Sequence, residues 1–228
     1  EAGETLAYGL GGTQKHAAFA ACYAAHPQTM VVIVHSQEAA ADWCEDLAAL
    51  LPHAHVAALP ELDAVQVQAT AKGMERAARR METLGLLMRT APSIVIAHAA
   101  AAVQKDMSRG EFERLSLMLH IGDEMERGDL LARFVQLGYE HADEVEHVGQ
   151  FAARGGILDV FPINARQPVR IELFGDTVDS LREYDLGTKR SLHHIEQVRV
   201  LPLMRMDAAQ RPELFLSYLS GRGLVVFD

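Results

Sequence analysis

Two different periods organise the hydrophobic positions of this chain. Met30-Val-Val-Ile-Val-His35 is an unbroken β-branched run, which suits a strand covered on both faces. Gln37 to Leu51 follows with Ala40, Trp43, Leu47 and Leu50 or Leu51 at helical spacing, and Pro52 ends that helix. Val56-Ala-Ala-Leu59 predicts a short second strand. Glu75 to Met88 predicts a helix with Met81, Leu84 and Met88 on one side, and Ser93-Ile-Val-Ile-Ala97 a third buried strand. Strands separated by helices favour a parallel sheet with helices on its faces. Residues 1 to about 116 therefore read as an α/β half-domain.

The period changes near Gly122. Asp123 to Gly138 predicts one helix, with Leu130, Leu131, Phe134, Val135 and Leu137 apolar and Gly138 at its C-terminal cap. Short strand signals follow at Glu144 to Arg154, Ile157 to Phe161, Val169 to Phe174, Thr177 to Tyr184 and Val198 to Leu201, with Gly175-Asp176 as a hairpin turn. Residues 117–201 thus predict a small α+β module centred on an antiparallel sheet. From residue 202 to 228 the signals are a helix over Pro212 to Leu219 and a strand over Gly223 to Phe227. A strand at the very end predicts a return to the first domain and a truncated last one.

The 228 residues are 49% hydrophobic and 23% charged, a composition that excludes disorder, collagen-like repeats and a coiled coil. No apolar run approaches the roughly 20 residues of a membrane helix. Two cysteines, Cys22 and Cys44, cannot build a disulfide framework, and the first ten residues lack a secretory pattern, so the expected location is cytoplasmic. The net charge of −10, and of −6 over residues 123–201, argues against a general phosphate-binding surface.

Gly9-Leu-Gly-Gly-Thr-Gln14-Lys15-His16 has the length of a phosphate loop but not its parts. Gln14 stands where the second glycine must permit close backbone approach, and His16 where a hydroxyl must hold magnesium. No acidic pair follows Ser93 to Ala97. The expectation is no nucleotide site, no catalytic residue and no cofactor in this chain. The eleven histidines, including His53, His55, His141, His147, His193 and His194, lack zinc-site spacing, so no metal site is expected. Cys22 and Cys44 read as buried thiols.

Residues 123–202 carry a resemblance. Asp129-Leu-Leu, Leu137-Gly-Tyr-Glu140, Asp143-Glu-Val-Glu146, Gly149-Gln-Phe-Ala152, Arg154-Gly-Gly-Ile-Leu-Asp-Val-Phe-Pro162, Pro168-Val-Arg-Ile-Glu-Leu-Phe-Gly-Asp176 and Ser180-Leu-Arg182 resemble, in order and spacing, the N-terminal region of bacterial transcription-repair coupling factors (Mfd). A looser form of the module occurs in the excision-repair protein UvrB. UvrB keeps an intact phosphate loop and a tyrosine-rich DNA-pinning hairpin. Here the loop is degenerate and no tyrosine lies between Tyr23 and Tyr139, which favours the coupling factors.

The resemblance implies a degenerate helicase-like first domain (1–116), a UvrA-binding module (117–201) and a return segment (202–228). It implies that the module recruits UvrA to RNA polymerase stalled on damaged DNA and competes with UvrB for it. RNA polymerase and DNA would bind outside this region, and ATP and magnesium would serve only the motor of a full-length protein. The alternative is a UvrB-like ATP-dependent DNA repair helicase fragment. A DNA-binding structural domain conflicts with the charge.

Alternation along Arg170-Ile-Glu-Leu-Phe174 puts Arg170, Glu172 and Phe174 on one face and Val169, Ile171 and Leu173 on the other. With the aliphatic face packed on the preceding helix, Phe174 is exposed beside arginine, a combination that interface hot spots favour. Arg154 reaches the same face across the sheet. The strand pattern alone equally allows Phe174 to cover a sheet edge while the arginines pair with Glu172 and Asp159. The resemblance carries UvrA binding onto Arg154, Arg170 and Phe174, with Glu172 orienting the arginines.

Overall fold

A computed structural model describes residues 5–62, 71–203, 212–219 and 223–228. In chain order the elements are α1 (Gln14–Ala25), β1 (Met30–Val34), α2 (Gln37–Leu50), β2 (His55–Ala58), α3 (Ala71–Leu87), β3 (Ser93–His98) and α4 (Ala99–Ala102). Then come β4 (Lys105–Asp106), α5 (Arg109–Leu115), β5 (Leu117–His120), α6 (Arg127–Gln136), β6 (Glu140–His141), β7 (Gln150–Arg154) and β8 (Ile157–Val160). The rest are β9 (Val169–Phe174), β10 (Thr177–Tyr184), β11 (Ser191–His194), β12 (Gln197–Val200), β13 (Glu213–Leu214), a 3₁₀ turn (Phe215–Tyr218) and β14 (Leu224–Phe227).

The chain forms two compact units, one of residues 1–61, 86–104 and 215–228, the other of 62–85 and 105–214. Residues 62–85 and 105–116, which the sequence pattern grouped with the first domain, fall in the second unit. Within 202–228, residues 204–211 and 220–222 lie outside the described residues.

The first unit is built on a parallel sheet of order β14-β1-β3-β2. Every residue of β3 is buried, as the unbroken apolar run requires. α2 starts where the Ser36 hydroxyl accepts from the Ala39 N–H at 3.2 Å, and its Trp43 and Leu47 join Phe19 and Tyr23 of α1 over Met30, Val32, Ile94 and Ile96. The helix expected over Pro212 to Leu219 is instead β13 and the 3₁₀ turn. Phe215 and Tyr218 are both fully buried, and rings three residues apart share one face at the 3₁₀ period.

The second unit centres on a six-stranded sheet of order β11-β10-β9-β8-β7-β6, antiparallel except for β6 with β7. Gly155-Gly156 and Gly175-Asp176 are its two-residue turns. Gly155 and Gly175 have φ of +61° and +64°, and a Cβ on Gly156 would sit 2.9 Å from the Leu173 carbonyl oxygen, so side chains are excluded there. Val160, Val169, Ile171, Val178 and Leu181 form the buried face, where Phe134 of α6 meets Phe151 of β7 at 5.3 Å between ring centres.

α6 is shorter than the expected Asp123 to Gly138. The residues before it lie along β10 instead, with the Gly122 N–H donating to the Val178 carbonyl at 2.8 Å and the Met125 N–H to the Asp176 carbonyl at 2.7 Å. The strand expected from Glu144 begins only at Gln150. The Gln150 amide oxygen accepts from the N–H groups of Glu146 and His147, curling 142–149 out of the ladder. β5 pairs with β12, and β4 with β13, in two smaller ribbons. Arg80 of α3 forms a fully buried two-point pair with Asp106 of β4 at 2.7 and 2.8 Å.

Candidate functional site

The register of the six-stranded sheet sets the far face in rows. Arg154, Ile157, Glu172 and Ser180 are cross-strand neighbours in one row, and Asp159, Arg170, Arg182 and His194 in the next, while Phe174 lies opposite Thr177 at the hairpin end. Val145, Ala152, Phe161 and the half-buried Leu186 form a small apolar cluster that covers part of this face. Phe174 stays 82% exposed and Ile157 39%. An aromatic that exposed beside an aliphatic and several arginines has the composition of an interface anchor.

Each arginine has a different setting. Arg170 donates Nε–H and Nη2–H to the two carboxylate oxygens of Asp159, both at 2.8 Å, and its guanidinium lies 5.0 Å from the Tyr184 ring centre. Hydrogen bonding to Asp159 holds the guanidinium pKa above its ordinary value. Arg154 is exposed and donates only to the Asp143 backbone carbonyl, at 3.1 Å. Glu172 does not orient Arg154 or Arg170: its carboxylate accepts from Arg182 and from the Ser180 hydroxyl at 2.9 Å. Burial pushes the Glu172 carboxyl up, and the hydrogen bonds from Arg182 and Ser180 with the charge of Arg182 outweigh it, so its pKa lies below the usual range.

The sequence reading missed Arg182, Ile157 and Tyr184. A two-residue turn alone would set Glu172 opposite Asp179. The irregularity between Val178 and Ser180 shifts the register by one and brings Arg182 across from Arg170.

The segment Gly9 to His16 opens a second cluster, in the first unit. Gly9 and Gly12 take φ of +80° and +52°, and α1 begins at Gln14 without a side-chain cap from Thr13. The Lys15 ammonium lies 2.5 and 2.7 Å from the carboxylate oxygens of Asp228, which also accepts from Trp43 Nε1 at 2.9 Å. His16 is buried against Trp43 with Nδ1 2.5 Å from Asp46. A cleft of about 550 Å³ opens here, lined among others by Glu38, Asp42, Glu45 and Asp46. Asp228 itself follows β14, the other neighbour of β1. Four apolar residues followed by Asp were the signal for it.

Cys22 is exposed, contrary to the expected buried thiol, because it lies off the face of α1 that carries Phe19 and Tyr23. Cys44 is half-buried, and burial pushes its pKa up to about 11. Among the described residues no group of three or more His, Cys, Asp or Glu side chains is arranged to hold a metal, and no helix is long and apolar enough to cross a membrane.

Residues 117–205, which include α6, the six-stranded sheet and β12, match the UvrB interaction domain family. Over that stretch the chain is similar to the UvrB interaction domain. It is 30% identical over 211 residues to the transcription-repair-coupling factor of Bacillus subtilis (strain 168), covering 92% of this chain and 18% of that protein. The factor of Staphylococcus aureus (strain bovine RF122 / ET3-1) is 28% identical over 196 residues, covering 86% and 17%. That of Staphylococcus haemolyticus (strain JCSC1435) is 29% identical with the same coverage. The chain thus spans under a fifth of these relatives' length and resembles their N-terminal region, as the sequence blocks led us to expect.

Proposed function

We propose that this chain is the UvrA-recruiting region of a transcription-repair coupling factor and that UvrA docks on the rows around Arg154, Arg170 and Phe174. The observation that carries the reading is Phe174. Its ring is 82% exposed at the hairpin end of the sheet face that carries Arg154 and Arg170, inside the matched residues, where a solvent-facing polar residue would cost nothing. The link to stalled RNA polymerase and excision repair follows from the coupling-factor relatives, with polymerase, DNA and ATP engaged by regions beyond this chain. UvrB would present the equivalent domain, so the two compete for one UvrA surface. Isothermal titration of the chain into UvrA tests the docking, and an excess of UvrB that fails to displace the chain contradicts the competition.

We further propose that this chain binds no nucleotide and hydrolyses none. In support, the loop lysine is neutralised by Asp228 and the residue at the hydroxyl position is engaged by Asp46, which leaves neither for phosphate or magnesium. Saturable ATP binding in magnesium, lost in Lys15→Ala, would instead favour a helicase of the UvrB kind.

A further inference from the structure

We propose that Asp159 and Tyr184 are positioning residues that hold Arg170 as a fixed, charge-compensated hydrogen-bond donor, while Arg154 supplies the free positive charge of the docking face. The inference rests on the docking reading and adds a division of labour within it.

A guanidinium has five N–H groups in one plane. Asp159 takes the Nε–H and one Nη2–H of Arg170, which leaves three N–H groups on the edge turned away from Asp159. The plane is set by Tyr184, whose ring is 1% exposed and therefore fixed in the packing, with its own N–H bound to the Pro168 carbonyl at 3.1 Å. The rotamer freedom that a long side chain loses on binding is already restricted in the unbound protein.

The pair with Asp159 is neutral overall, so Arg170 offers direction rather than net charge. Arg182 is compensated in the same way by Glu172. Arg154 forms no ion pair with any described residue and keeps its full charge at the surface. The matching partner surface therefore carries an uncharged acceptor, such as a backbone carbonyl, opposite Arg170, a carboxylate near Arg154 and an apolar pocket for Phe174. Compensated and free charges differ in their response to salt, because screening acts on net charge over roughly 10 Å at 0.1 M.

The test is a set of double-mutant cycles read by titration into UvrA. Asp159→Asn and Tyr184→Leu are each measured alone and with Arg170→Ala, Tyr184→Phe serves as rescue, and circular dichroism confirms the fold of each. Alone, Asp159→Asn and Tyr184→Leu should weaken binding about 5- to 10-fold, and in the Arg170→Ala background less than about 2-fold, a coupling expected only of groups acting through one another. Tyr184→Phe keeps the ring and removes only the hydroxyl that bonds Asp159, so it should bind within about 2-fold of wild type. Arg154→Ala should flatten the dependence of affinity on salt between about 50 and 300 mM, and the double variant Asp159→Asn with Arg170→Ala, which removes the neutral pair as a whole, should leave it unchanged. Equal losses in both backgrounds, no loss in either, or a salt dependence that changes on removal of the neutral pair overturns the proposal. A folded wild-type chain that does not bind UvrA overturns the docking reading itself and the division of labour with it.

Discussion

Phe174 and Asp228 show how much one side chain decides here. Phe174 is 82% exposed, so Phe174→Ala should leave the unfolding free energy within about 0.5 kcal/mol of wild type. It should nevertheless weaken UvrA binding by about 2 kcal/mol, near 30-fold, in the same titration. Loss of both stability and affinity would mean that the ring belongs to the fold. Asp228 behaves oppositely. Burial pushes its carboxyl up, but hydrogen bonds from Lys15 and Trp43 and the charge of Lys15 outweigh it and hold the pKa below the ordinary 3.8. Because the folded value lies below the unfolded one, the stabilisation is complete well above 3.8 and vanishes as pH falls through the folded value. Urea unfolding of Asp228→Asn should therefore lack part of the loss of stability that wild type shows between about pH 5 and pH 2. Parallel acid profiles would dismiss the clasp as a surface contact.

Elements with one strong local cause were legible in the sequence, and those set by distant partners were not. β9 and β10 have the expected bounds because alternation and a Gly-containing turn specify both. α6, β7 and the segment before β14 differ because their limits depend on long-range bonds to β10, on the Gln150 side chain and on two buried rings. The proposed docking face was half legible: alternation put Arg170, Glu172 and Phe174 on one face, but the bulge that pairs Glu172 with Arg182 has no local signal. Register also fixes the hidden face. Ile171 is fully buried and Leu173 only partly, so Ile171→Ala should cost about 2–4 kcal/mol by chemical unfolding and Leu173→Ala clearly less. Equal costs would contradict the register. In the same unit Asp106→Ala leaves Arg80 as a buried charge without its carboxylate and should cost about 3–5 kcal/mol.

At the scale of the molecule, the two units divide the chemistry. The first holds a parallel sheet whose loop lysine is neutralised by its own chain, and the second holds the residues that match the UvrB interaction domain family, with an arginine-bearing sheet face. The net charge of −10 fits a chain that meets a protein surface rather than DNA. Recruitment of UvrA through the second unit is tested by isothermal titration into purified UvrA, with Arg170→Ala beside wild type. Saturable wild-type binding and at least about 30-fold weaker binding by the folded variant are expected. A folded wild-type chain that releases no heat with UvrA, or a variant that binds as tightly as wild type, would contradict that recruitment.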